Sequence, residues 1–147
     1  MDVTAILEAP CVREELFEWV ADLSRYPQWL DIVPRAVPAD DSDEASAWTI
    51  DLRGRLGPFA RSKRLRMVRT RHDAPKTVVF ERRELDGRSH SPWLLEATVS
   101  DGDDGGSRLT MHLHYGGGLW GPLVERLLSD EIERSRPRLL ALLEANH

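Results

Sequence analysis

Arginine is the residue type whose placement could do chemistry in this chain. Arg69 follows Leu65 and Met67 at alternate positions, so in a strand the three side chains share one face. On an apolar face, its five N–H donors could bind a carboxylate, a phenolate or another polar head group, or stabilise an enolate. The alternative is that Arg69 lies at the strand end and reaches solvent.

Arg82 is a second candidate for a polar anchor. It shares its predicted strand face with Val78 and Phe80. The alternative is an ion pair with Glu84 or Glu96, and the sequence favours neither interpretation.

Other residues that could bind a metal or a cofactor, or act as a nucleophile, are weaker candidates. His112 and His114 have the spacing of a shared metal site, but zinc needs three or four ligands, so we predict a solvent-facing pair and no metal. Cys11 is near a predicted helix start, where a thiol pKa can fall, yet no histidine is fixed beside it. The glycines at 116–118 lack the lysine of a phosphate loop, and no cofactor is predicted.

One predicted strand, residues 59–71, is strongly basic. Its cationic residues are Arg61, Lys63, Arg64, Arg66, Arg69 and Arg71. Such charges can keep a strand from pairing with another chain, and the alternative is an interaction or toxin-like module that docks an acidic partner, RNA or an anionic membrane. Nucleic acid is not expected, because aromatic residues do not alternate with these cations and the net charge is -5.

Length and composition are those of one ordinary globular domain over residues 1–147. Hydrophobic residues make up 41% of the chain and charged residues 31%. No run approaches the ~18 apolar residues of a membrane span, and the first residues do not resemble a signal peptide. With its single cysteine, the chain is expected to be cytoplasmic. Its oligomeric state is not predicted.

Hydrophobic periodicity predicts the elements that position these side chains. Strands are predicted over 3–8, 47–53, 59–71, 77–85, 93–99 and 109–115. Helices are predicted over 11–23 and 121–145, with a second, short helix or turn over 25–30. Ser24 is the predicted N-cap of the second helix, the segment between Pro34 and Pro38 is an extended connector, and residues 40–44 form an acidic loop. Hairpin-connected strands followed by one long helix indicate an α+β domain in which that helix covers the apolar face of an antiparallel sheet.

The terminal helix predicts an internal pocket. Its apolar stripe, which includes Val124, Leu127 and Leu128, is interrupted at Ser135, and Pro137 should kink the helix or free a carbonyl. A small residue and a kink leave space under a curved sheet, although simple core filling is the alternative. The expected lining is Tyr26, Trp29, Trp48, Ile50, Leu65, Met67, Phe80, Trp93, Leu95, Met111, Ser135 and Leu139, with Arg69 and Arg82 orienting a polar end.

Several segments, in this order along the chain, resemble the SRPBCC superfamily. They are residues 9–10, 20–30, 75–81, 106–111 and 121–128. That superfamily includes START lipid-binding domains, coenzyme-Q-binding proteins and the polyketide cyclase/dehydrase family. The resemblance implies a helix-grip fold: a curved antiparallel sheet around a long C-terminal helix, with two short helices after the first strand.

The resemblance also implies what the pocket holds. Arg69 falls where aromatic polyketide cyclases place a catalytic arginine, and Tyr26 matches an aromatic residue of theirs. Their serine and tryptophan upstream correspond to Met67 and Leu65 here, which are apolar. The first expectation is therefore a carrier or sensor of a small apolar ligand such as a lipid, isoprenoid quinone or polyketide. The alternative is a cyclase or aromatase that uses Arg69.

Overall fold

The structure, a computed structural model, describes residues 2–39, 46–56, 59–116 and 123–145. Its strands are β1 (Asp2–Ala9), β2 (Arg35–Ala39), β3 (Ala47–Leu56), β4 (Phe59–Asp73), β5 (Thr77–Arg82), β6 (Trp93–Asp101) and β7 (Ser107–Tyr115). Its α-helices are α1 (Arg13–Val20) and α2 (Leu123–Ala145), and a 3-10 helix covers Leu23–Gln28.

The strands form one antiparallel sheet in the order β1-β7-β6-β5-β4-β3-β2. Strands β2 to β7 pair with their neighbours along the chain, while β1 closes the other side by pairing with β7. The sheet is curved but not closed into a barrel, and the predicted helix-grip fold is confirmed.

Period-two alternation decides which side chains face the inside of the curve. On β3 the inward residues are Trp48, Ile50 and Leu52, all buried. Across the register Ile50 lies opposite Leu65 of β4, and Leu95 of β6 lies opposite Leu113 of β7. The concave face is therefore a continuous apolar surface that must be covered.

Helix α2 supplies part of that cover. Leu139 and Leu143 are buried, and Ser135 is only 3% exposed. The helix runs unbroken through Pro137, and the Ser135 hydroxyl donates to the carbonyl of Ile132 at 2.6 Å. Within the described part of the chain, no helix combines the length and apolar character that crossing a bilayer requires.

The predicted connector between Pro34 and Pro38 is wrong, because β2 pairs there with β3. Its residues lack period-two burial, so no strand signal was visible. An edge strand tolerates Pro38, since one of its sides needs no ladder hydrogen bond.

The ends of the early helices also differ from prediction. α1 spans Arg13–Val20 rather than 11–23. The N-cap of the 3-10 helix is Asp22, whose carboxylate accepts from the Ser24 backbone N–H at 2.9 Å. Ser24 is therefore inside the helix, because an aspartate two residues earlier supplies the acceptor.

Some predictions fall outside the described residues. These are the acidic loop over 40–44, the glycine run at 117–118, the helix start at 121 and the side chains of Arg61, Val124, Leu127 and Leu128.

Candidate functional site

A cavity lies between the sheet, the 3-10 helix and α2. The side chains leave about 880 Å³ between them when the open side is counted, and the centre of a water molecule can occupy about 80 Å³. One water needs roughly 10–15 Å³ by this measure, whereas an engineered apolar cavity that binds benzene has about 150 Å³. The space therefore fits a small apolar group, and a larger ligand requires the walls to move apart.

The described lining is apolar apart from the tyrosine hydroxyl and the tryptophan N–H. It consists of Val3, Leu23, Tyr26, Leu30, Ile32, Val33, Ile50, Leu52, Leu65, Met67, Trp93, Leu95, Met111, Leu113 and Ile132. The following lining residues were also predicted from the sequence: Tyr26, Ile50, Leu65, Met67, Trp93, Leu95 and Met111. Their contact with a ligand stays a prediction.

Several lining residues were missed by the sequence analysis. Leu52 and Leu113 were detectable, because each follows a predicted lining residue by two positions in the same strand. Ile32 and Val33 follow the 3-10 helix in an irregular segment, where no periodicity indicates which side chain turns inward.

The predicted lining residues Trp48, Phe80 and Trp29 instead pack solidly beside the cavity. The Trp48 and Phe80 rings meet edge to face with centroids 5.6 Å apart, and Trp29 lies 5.0 Å from Tyr26. Leu139 and Ser135 are also buried and are not among the lining residues. A cluster of aromatic side chains thus fills part of the concave face, and the cavity lies beside that cluster.

Arg69 lies beside the packed aromatic side chains rather than at the cavity. Its Nη1 donates to the carbonyl of Ala21 at 2.8 Å, and its guanidinium carbon is 5.5 Å from the centroid of Trp48. The arginine therefore ties the end of α1 to β4, and it is not among the described residues that line the cavity. Burial, followed by the charge of Arg69, lowers the pKa of nearby His72.

Arg82 lies near the cavity, because it is opposite the lining residue Met67 in the strand register. Its side chain is 9% exposed, and its Nε donates to Glu84 Oε1 at 3.0 Å. Its Nη1 donates to the Ser91 carbonyl at 3.3 Å. This is the ion pair that the sequence left open as the alternative to a ligand anchor.

Lys63 is a polar residue of the inner face that the sequence analysis did not single out. It lies opposite the lining residue Leu52 and two positions before Leu65, so the strand period indicated its direction. Its Nζ is 5.5 Å from the centroid of the Trp93 ring and donates to Ser91 Oγ at 3.4 Å. Burial, and then the charge of Arg82, lowers the pKa of Lys63.

Trp93 lines this end of the cavity and is 6% exposed. Its ring stacks on Tyr115 with centroids 5.2 Å apart. Its Nε1 is buried and has no hydrogen-bond partner among the described atoms. An unsatisfied buried donor costs about 1–3 kcal/mol, so this N–H is a poorly solvated group that a ligand could satisfy.

The other candidates from the sequence have local partners. His112 Nε2 and His114 Nδ1 lie 2.8 and 3.0 Å from Asp2 Oδ1, on the outer face where β1 meets β7. These contacts lower the pKa of Asp2. Cys11 is buried, and burial raises the pKa of its thiol, the direction opposite to that of a reactive cysteine.

The basic strand is more engaged with the rest of the chain than its composition indicates. Arg64 Nε donates to Asp51 at 2.8 Å, and Arg66 Nη1 donates to the Arg83 carbonyl at 2.8 Å. Arg66 is 8% exposed. Arg66 is therefore not part of an exposed basic face, because the segment after β5 folds back over it.

A model of the family described as polyketide cyclase / dehydrase and lipid transport matches residues 2–144. The chain belongs to this family. The polyketide cyclase/dehydrase family includes proteins of different roles, so membership supports either apolar-ligand binding or cyclase-like chemistry. A search of curated proteins finds no significant match.

Solved structures agree with the fold of this family member. A protein of Thermus thermophilus, TTHA0849, is similar with a TM-score of 0.74 and 14% identity, over 99% of both chains. A START superfamily protein from Mycobacterium smegmatis has a TM-score of 0.71 and 15% identity, again over 99% of both chains. The di-domain ARO/CYC StfQ from the steffimycin biosynthetic pathway has a TM-score of 0.70 and 13% identity, covering 99% of this chain and 51% of that one. At such identities the likeness shows the fold alone.

Proposed function

We propose that this protein binds a small apolar ligand in the cavity, as a carrier or sensor. The observation that carries the proposal is a cavity whose described walls are almost wholly apolar and which can admit a ligand such as ethylbenzene only if those walls move apart. Apolar walls with a few placed polar groups are typical of sites for small molecules. Family membership supports the same class of ligand.

Cyclase chemistry that depends on Arg69 has less support. A residue that polarises a substrate carbonyl must come within hydrogen-bond distance of it. The guanidinium of Arg69 instead lies on the Ala21 carbonyl and the Trp48 ring. We therefore propose binding rather than Arg69-dependent catalysis.

Docking through the basic strand also has less support. Arg64 and Arg66 are held by Asp51 and by the Arg83 carbonyl, so a partner would have to displace internal contacts. The walls of the apolar cavity offer few polar contacts that a ligand would have to displace.

The test is to identify what the purified protein holds, by native mass spectrometry followed by organic extraction. The variant Leu113→Trp fills the cavity from its partly buried side, and Ile6→Trp is the matched control on the outer face of β1, where Ile6 is 56% exposed. We expect a bound apolar molecule in the wild type and in I6W, and its loss in L113W.

A melting experiment gives the same test with a known probe. Ethylbenzene at ten times its dissociation constant should raise the Tm of the wild type and of I6W by about 3–6 °C. The Tm of L113W should not move. The proposal is wrong if nothing co-purifies with the wild type and ethylbenzene leaves its Tm unchanged.

A further inference from the structure

The indole N–H and the lysine ammonium at the Trp93 end of the cavity are both hydrogen-bond donors. Trp93 Nε1 can only donate, it is buried, and no described atom accepts from it. The lysine ammonium above its ring can also only donate. No backbone or side-chain acceptor of the described lining is therefore paired with this indole.

The side chains at the Trp93 end of the cavity carry a net positive charge. Lys63 and Arg82 are close enough to interact, and the carboxylate that acts on both belongs to Glu84. Glu84 Oε1 is already held by Arg82 Nε and by the backbone N–H of Arg66, each at 3.0 Å. The single described hydrogen bond of the Lys63 ammonium goes to Ser91 Oγ at 3.4 Å, which is long. A positive potential thus remains beside an unpaired donor.

We propose that the ligand of this cavity is an apolar molecule that carries an oxygen acceptor, and that this oxygen accepts a hydrogen bond from Trp93 Nε1 beside Lys63. The inference rests on the proposed function and names the chemistry of its ligand. Ketone, quinone, ester and carboxyl oxygens all meet the requirement. Head groups that are cationic or that only donate do not, since they would meet like charge and further donors.

The other buried indole provides an internal comparison. Trp29 Nε1 is also buried without a described partner, but Trp29 does not line the cavity. Trp29 is therefore not among the described residues that a ligand of this cavity would contact. Trp29→Phe is therefore a matched control for Trp93→Phe, because both remove one buried N–H and keep an aromatic ring.

The experiment compares two probes of similar size, ethylbenzene and acetophenone, of which the second carries a carbonyl oxygen. The chain has five tryptophans, so its indole N–H groups give five cross-peaks in a ¹⁵N–¹H spectrum, and W93F identifies that of Trp93. Acetophenone should move the Trp93 indole proton downfield, as hydrogen bonding does, and ethylbenzene should not.

The affinities give the second measurement. In the wild type and in W29F, acetophenone should bind about 3–10-fold more tightly than ethylbenzene, the effect of one net hydrogen bond. W93F should bring the ratio of the two affinities to about one, and this ratio is compared within each variant because Trp93 is itself part of the cavity wall. Lys63→Met keeps the apolar stem, and it should lower the ratio of the acetophenone affinity to the ethylbenzene affinity by about two-fold.

The outcomes separate this inference from the proposed function. If ethylbenzene binds but acetophenone gains nothing and leaves the Trp93 proton unmoved, the acceptor is wrong and the apolar cavity stands. If the preference survives in W93F, the oxygen lies elsewhere and the inference is overturned. If neither probe binds and nothing co-purifies, the proposed function fails and the inference fails with it.

Discussion

Tyr26 joins the cavity to the core beneath it. Its ring lines the cavity, and its hydroxyl donates to the carbonyl of Val20, the last residue of α1, at 2.8 Å. Burial, and then the charge of Asp22, raises the pKa of Tyr26 far above the ordinary value of ~10. The phenol therefore stays protonated while the protein is folded.

The variant Tyr26→Phe tests this placement. It removes the donor from a buried carbonyl and should lower the free energy of unfolding by about 1–2 kcal/mol near pH 7. The wild type should also lose stability relative to Y26F above about pH 10, at ~1.4 kcal/mol per pH unit, because the unfolded phenol ionises there and the folded one does not. Urea unfolding from pH 7 to 11 measures both effects, and parallel pH profiles would contradict a buried Tyr26.

For single residues, the sequence indicates on which face of a strand a side chain lies better than it indicates which atoms that side chain contacts. Strand alternation places Met67 and Trp93 on the inner face, and both line the cavity. The same alternation places Arg69 on that face, but an arginine is long enough for its guanidinium to leave the position of its own Cβ. It reaches Ala21, which lies 48 residues away in the chain and which no local pattern connects to it.

Among the elements, α2 is fastened at its exposed side by an ion pair. Arg138 donates through both Nη1 and Nη2 to the carboxylate of Asp31, in the segment between the 3-10 helix and β2; the Nη2–Oδ2 distance is 2.6 Å. This hydrogen bonding lowers the pKa of Asp31. Both side chains are about half exposed, so water screens much of the attraction.

A double-mutant cycle with Asp31→Asn and Arg138→Met measures the strength of this pair. We expect a coupling energy of no more than about 1 kcal/mol, and a smaller one at high salt. Because the folded carboxyl has the lower pKa, the coupling should be complete above the unfolded pKa of ~3.9 and should disappear as the pH falls through the folded value. Denaturant titrations between pH 2 and 7 provide the check, and coupling that persists at pH 2 would contradict the ion pair.

Elements with strong periodicity were predicted, and those without it were not. β3, β6 and β7 alternate cleanly because one face of each is buried. β2 is an edge strand with mostly exposed residues, so its sequence carries no burial signal. The irregular segment after the 3-10 helix contributes lining residues for reasons of tertiary packing that a local pattern does not contain.

For the molecule as a whole, the cavity exists because side chains fill the space under the concave face of the sheet unevenly. The rings of Trp48, Phe80 and Trp29 pack closely in one part of the core, and mainly aliphatic side chains with Tyr26 and Trp93 surround the space beside them. Resemblance predicted this architecture, but the position of the cavity depends on how the side chains pack in three dimensions.

The variant Leu139→Ala tests how much the packing of α2 against the core contributes to the free energy of unfolding. Leu139 is 0% exposed, so the truncation should cost about 2–5 kcal/mol, a large share of a typical total of ~5–15 kcal/mol. Leu142→Ala, on the partly buried margin of α2, should cost less. Equal losses in urea unfolding would show that α2 does not pack through Leu139 as described.

The pairing of β1 with β7 has a consequence for synthesis. Asp2 and His114 are 112 positions apart, yet they meet across one strand pair. During translation β1 therefore leaves the ribosome without its pairing partner until β7 has also been translated. Such distant pairing is a slow step of folding, and the exposed edge is the segment that a chaperone would have to shield in the meantime.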